Sequence, residues 1–151
     1  MAYDDDRFRV TLDRVLELVT LLNEDMAHGF ARDGLTGPRA HLLWELHHRG
    51  PSTQRTLADA LRVSARNVTG LVDGLVDTGF VTREPHPTDR RATLVSFTEL
   101  GAKTAGAMDR DHRELARLLF ARMPAKRLEG FAEDLDEILS RLRKALDDDA
   151  A

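Results

Sequence analysis

Cysteine is missing from the 151-residue chain, which excludes disulfides, thiolate metal sites and thiol-based oxidant sensing. Aromatic residues are scarce at 5%, with one tryptophan and one tyrosine. No apolar run approaches the ~20 residues of a membrane span, and the opening MAYDDDRFRV lacks the apolar stretch of a signal peptide. A soluble, cytoplasmic protein with no membrane contact is expected. A phosphate-binding glycine loop, a nucleophile elbow and a spaced Ser/His/Asp set are also lacking, so the chain reads as no enzyme and implies no cofactor. Nor is there a basic excess: Lys+Arg total 22 against 26 Asp+Glu, a net charge of −4. That total weighs against a nucleic-acid partner unless the charges are unevenly placed.

What the chain does have is leucine, alanine and valine at helical spacing. Its length suits one domain, or one domain with an oligomerisation arm. Phe8, Leu12, Val15, Leu16, Val19, Leu22 and Met26 recur at steps of three and four, predicting a helix over 7–29 that Gly29 and the Gly34–Gly37–Pro38 cluster end. A second helix is expected over 38–48 and a short third over 54–61. A fourth spans 65–78, with Ser64 as N-cap and Gly79 suited to a left-handed stop. Phe80–Arg83 and Thr93–Phe97 read as two strands of a hairpin around a polar turn. Thr98 caps a fifth helix reaching about Arg122, and Pro124 lies in the first turn of a sixth. That last helix carries Leu128, Phe131, Leu135, Ile138, Leu142 and Ala145 in a heptad-like seam, and the Asp147–Ala151 tail is expected to fray. The stripes over 8–26 and 128–145 are wider than lone helices need and call for a partner surface.

The fold class is therefore mainly α with a small β-hairpin wing: a helix-turn-helix followed by a wing, flanked by long helices. In such a module the second helix of the pair enters the major groove by its N-terminal residues. Here these are Ser64, Arg66, Asn67 and Thr69. Arginine matches guanine O6/N7, asparagine matches adenine N6/N7, and the hydroxyls suit base or phosphate. Arg55 and Thr69 are candidate phosphate contacts. Arg66 and Asn67 also fit an ordinary solvated helix face. Over 51–94, six arginines face five acids, so the acidic total belongs to the rest of the chain. Modest non-specific affinity and reliance on two matched half-sites follow.

These residues carry a resemblance. Leu57-Ala58-Asp59-Ala60-Leu61, Ser64, Val68-Thr69, Leu71, Leu75, Gly79-Phe80-Val81, Asp89-Arg90-Arg91 and Phe97-Thr98-Glu99-Leu100-Gly101 are similar to the pattern of the MarR family of multiple-antibiotic-resistance regulators. Phe80 and Phe97 stand where leucine is commoner in that family. The resemblance implies an obligate homodimer in which 1–36 and 99–151 supply dimerisation helices and 37–98 the DNA-binding lobe. Phe8, Leu12, Val15, Leu128, Phe131, Leu135, Ile138 and Leu142 would then line the dimer interface. It implies a pseudo-palindromic DNA operator, most simply repressed, with Asp89 buttressing the wing and Arg90 or Arg91 entering the minor groove, Arg91 being preferred. It also implies a small aromatic or anionic effector between the first, second and fifth helices, near Arg39, His41 and Trp44. Trp44 fits equally as filler between the dimerisation helices and the lobe.

Six histidines invite a metal reading, with Asp109 and His112 three apart on one helix, but no close HxxxH pair supports it. The alternatives to a DNA-binding regulator are a winged helix used only for protein interaction, and a metal-responsive regulator.

Overall fold

The computed structural model describes residues 2–151, with side chains from Asp4 onward. Met1, where the expected segment 1–36 begins, lies outside the described residues. The elements are α1 (Ala2–Arg32), α2 (Gly37–Arg49), β1 (Ser52–Thr53), α3 (Gln54–Leu61), α4 (Ala65–Asp77), β2 (Val81–Pro85), β3 (Thr93–Phe97), α5 (Glu99–Phe120) and α6 (Ala125–Ala150). They divide into two compact units, one running through Asp109 and the other Arg110–Ala151.

The first unit owes its core to the apolar faces of its short helices. Leu42, Leu43 and Leu46 of α2, Leu57 and Ala58 of α3, and Val68, Val72 and Leu75 of α4 are buried together with Phe80, Val81 and Val95. At about 1.5–3 kcal/mol for each fully buried leucine or valine, this cluster is enough to hold the lobe as one body. Three successive helices open on a hydroxyl cap: Thr36 accepts from the Arg39 amide, Thr53 from Thr56 and Ser64 from Asn67. The α4 stop is the expected one. Gly79 is left-handed with φ 87°, and the Phe80 amide reaches back to the Leu75 carbonyl at 2.9 Å.

The sheet departs from the expected hairpin. It has three strands in the order β1-β3-β2, all antiparallel, with Ser52 opposite Val95 and Val81 opposite Phe97. A two-residue strand has no alternation to read, so β1 exists only through its pairing with β3. β2 also starts one residue later than expected and runs to Pro85, because Phe80 is spent as a buried plug at the helix stop. α1 continues through Gly29 to Arg32 and ends in a turn at Asp33–Gly34. Most of its apolar side chains, Phe8 (68% exposed), Leu12 and Val15 among them, lie on the surface of this chain.

In the second unit, the end of α5 and α6 are joined by a turn in which the Met123 amide bonds the Phe120 carbonyl at 3.0 Å. The Phe120 and Phe131 rings stand 6.3 Å apart. Pro124 is the N-cap of α6, one position earlier than expected, and the Asp147–Asp149 tail remains helical to Ala150 instead of fraying. No residue of α6 is buried: Leu128 is half-buried and Phe131, Leu135, Ile138 and Leu142 are exposed.

Candidate nucleic-acid interface

The turn between α3 and α4 is made by Arg62, which takes a left-handed conformation with φ 55°. Its amide bonds the Ala58 and Asp59 carbonyls, and the Val63 amide closes onto Ala58 at 3.1 Å. Chain direction therefore reverses within three residues, and Ser64 begins α4 at once. Ser64 Oγ accepts from the Asn67 amide at 3.1 Å. Helix geometry leaves the preceding first-turn amides, those of Ala65 and Arg66, without carbonyl partners inside the helix. Ser64, Arg66 and Asn67 thus gather at one exposed, electropositive helix end, which is suited to phosphate and base edges.

Thr69 lies one turn further on. Its hydroxyl donates to the Ala65 carbonyl at 2.9 Å and accepts from Gln54 Nε2 at 3.0 Å. The proton that a phosphate would receive is therefore already committed within the chain. Arg55, next to Gln54 in the first turn of α3, is exposed.

The wing tip is ordered by two side chains. His86 Nδ1 accepts from the Thr88 and Asp89 amides at 3.2 and 3.0 Å. Asp89 Oδ1 accepts from the Arg91 amide at 3.0 Å, and the Ala92 amide bonds the Asp89 carbonyl. These contacts fold the loop back on itself and leave Arg90 and Arg91 exposed at its end. Further down, Arg83 on β2 bonds the Asp73 carboxylate of α4 and donates through Nε to Gln54 Oε1 at 3.0 Å. Sequence reasoning missed Gln54, Asp73, Arg83 and His86. Opposite charges ten residues apart across a helix-to-strand turn give little signal without the fold. His86, between Pro85 and Pro87, carries no sequence cue beyond the turn itself.

A family model for MarR matches residues 35–93, from the start of α2 to the start of β3. Among curated relatives, the HTH-type transcriptional repressor NicR of Pseudomonas putida is 32% identical over 115 residues, covering 76% of this chain and 68% of its own. The chain belongs to the MarR family. An HTH-type transcriptional regulator of Mycobacterium leprae is 40% identical over 72 residues, 48% of this chain; the match spans only half the length of that relative. The fold of a MarR family transcription regulator crystal structure, SP03579, superposes at TM-score 0.79, with 18% identity and coverage of 97% of this chain and 96% of that one. The Staphylococcus aureus MepR–DNA complex aligns at TM-score 0.66, with 21% identity and coverage of 83% and 95%.

As a member of the MarR family, the chain has the family's winged helix. Among the described residues, no helix is long and apolar enough to cross a membrane. Of the residues expected around an effector, His41 and Trp44 share a side of α2 and Arg39 does not. At 3.6 residues per turn Arg39 and His41 point to nearly opposite sides of α2. An added Cβ at Gly74 of α4 would collide with the Arg39 guanidinium, which lies against that helix. His41 stands 3.8 Å from Glu45, which also binds Arg49 at 2.9 Å. Trp44 is half-buried with its ring 4.4 Å from that of His48. A separate, mostly apolar pocket of about 280 Å³ is lined by Asn23, Met26, Ala27, Phe30, Ala31, Leu35 and Gly37.

Proposed function

We propose that this regulator binds a pseudo-palindromic operator as a homodimer, acts as a repressor, and is released by a small aromatic or anionic ligand. One observation carries the DNA reading. A capped helix end bearing Arg66 and Asn67 and an arginine-tipped wing belong to a single packed lobe. Arg66 and Asn67 read base edges, Ser64 and Arg55 serve phosphates, and Arg91, with Arg90 beside it, enters the minor groove. The relative crystallised with DNA supports this use of the fold.

Dimerisation is supported by the apolar rows that this chain exposes on α1 and α6. Two-fold symmetry then sets half-sites about one helical turn, ~10 bp, apart. A ligand releases the dimer by changing the separation of the two α4 helices, so that both half-sites no longer fit together. The name of NicR supports repression. For an anionic ligand Arg39 is the natural lever, since the guanidinium that a carboxylate would recruit rests on Gly74 of α4.

The test is a salt titration on duplexes selected from a random-sequence pool. Binding should weaken steeply with salt, and Arg66→Ala and Arg91→Ala should each reduce affinity and flatten the slope. Unchanged affinity and slope in both variants would remove these contacts and leave a protein-interaction module. A thermal-shift ligand screen with Trp44→Phe, Arg39→Ala and Met26→Ala separates the Trp44 side of α2 from the apolar pocket.

A further inference from the structure

Arg83 has the charge and position of a DNA-contacting residue, but its bonds run inward. Its guanidinium holds the Asp73 carboxylate of α4 and the Gln54 side-chain oxygen at the head of α3. The Gln54 amide nitrogen passes the chain on to Thr69 Oγ1 at 3.0 Å, and Thr69 donates to the Ala65 carbonyl at 2.9 Å. Each link in this series runs from a donor to an acceptor, and the orientation of the Gln54 amide follows from its two partners. One polar chain thus joins β2, α3 and α4.

The wing is held at this level by the pairing of β1 with β3, and the tether adds a side-chain link from β2 to the two helices. The base of β2 is anchored by buried Val81, and β3 by buried Val95, but Arg83, Glu84 and Pro85 are exposed. From Arg83 to the start of the loop at His86 is three residues, or ~10 Å at ~3.3 Å per residue, so a tilt of about 15–20° moves the loop by about 3 Å. That is the length of a hydrogen bond, enough to take an arginine out of a narrow groove.

We propose that Arg83 and Asp73 are a positioning pair that fixes the offset between the base-reading end of α4 and the arginines of the wing, and that Arg83 itself touches no DNA. The inference rests on the DNA-binding reading above, and it reverses a simple electrostatic expectation. Asp73 is 57% exposed on the recognition helix, so charge counting says that its neutralisation strengthens binding; as a positioning residue, its neutralisation weakens binding.

The experiment uses the full chain and the variants Asp73→Asn, Arg83→Met and the pair together, all at surface positions. Without DNA, amide exchange over residues 83–93 should quicken several-fold in each single variant while the α4 amides stay protected. On a duplex selected by the wild-type protein, each single variant should bind about tenfold more weakly, two modest exposed pairs being lost per dimer. The double variant should be no worse than the weaker single. Hydroxyl-radical protection in the minor groove under the wing should fade while guanine N7 protection under α4 persists, and the salt slope should fall alike in Asp73→Asn and Arg83→Met, because both release the same wing arginines. Tighter binding by Asp73→Asn overturns the proposal. So does a slope lowered in Arg83→Met but not in Asp73→Asn, which marks a phosphate contact made by Arg83 itself. Unchanged amide exchange also overturns it. If the wild-type protein selects no duplex, the DNA-binding reading itself falls and takes the positioning role with it, and the exchange data still show whether the tether exists.

Discussion

Replacing Gly101 with alanine should damage this protein more than the same change at Gly70, Gly74 or Gly130 in its other helices. Gly101 is buried in the first turn of α5, and an added Cβ would stand 2.9 Å from the Phe80 carbonyl carbon and 2.9 Å from Phe97 Cδ1, with the Phe80 oxygen closer still. A backbone carbonyl cannot rotate away as a side chain can, so α5 must move. Its seat is Thr98, whose Oγ1 bonds the Gly79 carbonyl at 2.6 Å and the Phe80 carbonyl at 3.1 Å, and accepts from the Gly101 amide at 3.1 Å. Overpacking costs about 1–3 kcal/mol, and each weakened hydrogen bond adds about 0.5–1.5. The intrinsic helix preference for alanine returns at most ~1 kcal/mol. A net loss of about 3 kcal/mol lowers Tm by about 6–12 °C for a chain of this size. Circular-dichroism melts at one fixed protein concentration provide the assay, because association shifts apparent stability. Gly70→Ala is the control. Its Cβ would meet nothing within 4 Å, so that variant should be up to ~1 kcal/mol more stable. A Gly101→Ala protein melting within about 2 °C of the wild type would refute the close approach of α5 to Phe80.

Other outcomes follow from single contacts. Ser64→Ala removes the α4 cap and should cost about 1 kcal/mol in urea unfolding, whereas Ser64→Asp should restore stability yet still weaken DNA binding by placing a carboxylate at the phosphate-facing helix end. His86→Ala should speed amide exchange at Thr88 and Asp89 with no change in the α2–α4 core, since the ring accepts from both amides. Leu135→Glu combined with Leu12→Glu should shift sedimentation from dimer to monomer, with little change in the helical signal of the lobe.

The helices were readable because each carries its own punctuation. Ser64 at the start of α4 and Gly79 after it mark a helix in sequence as plainly as in space, and both act locally. β1 was not readable, because Ser52 and Thr53 are a strand only in relation to Val95 and Leu94. The turn between α3 and α4 was not readable either, because the residue that bends is Arg62, a type that rarely adopts positive φ and gives no cue. At the candidate site, Arg66, Asn67, Arg90 and Arg91 could be named from residue type and position in the motif. The contacts that orient them could not: Asp73 to Arg83, and Gln54 to Thr69, join residues 10 and 15 apart through side chains that look like ordinary surface. Arg39, His41 and Trp44 were grouped by the family resemblance, and a helix of 3.6 residues per turn keeps His41 and Trp44 on one side and turns Arg39 to the other.

The strand order β1-β3-β2 leaves one side of β2 unpaired along its backbone. Such a margin is the usual place for a second chain to zip on and begin aggregating. Here it is five residues long, carries Arg83 and Glu84 and ends at Pro85, which has no amide hydrogen to offer. A second copy that meets this margin therefore finds a poor template for a shared sheet, and wings that touch can come apart again as separate molecules.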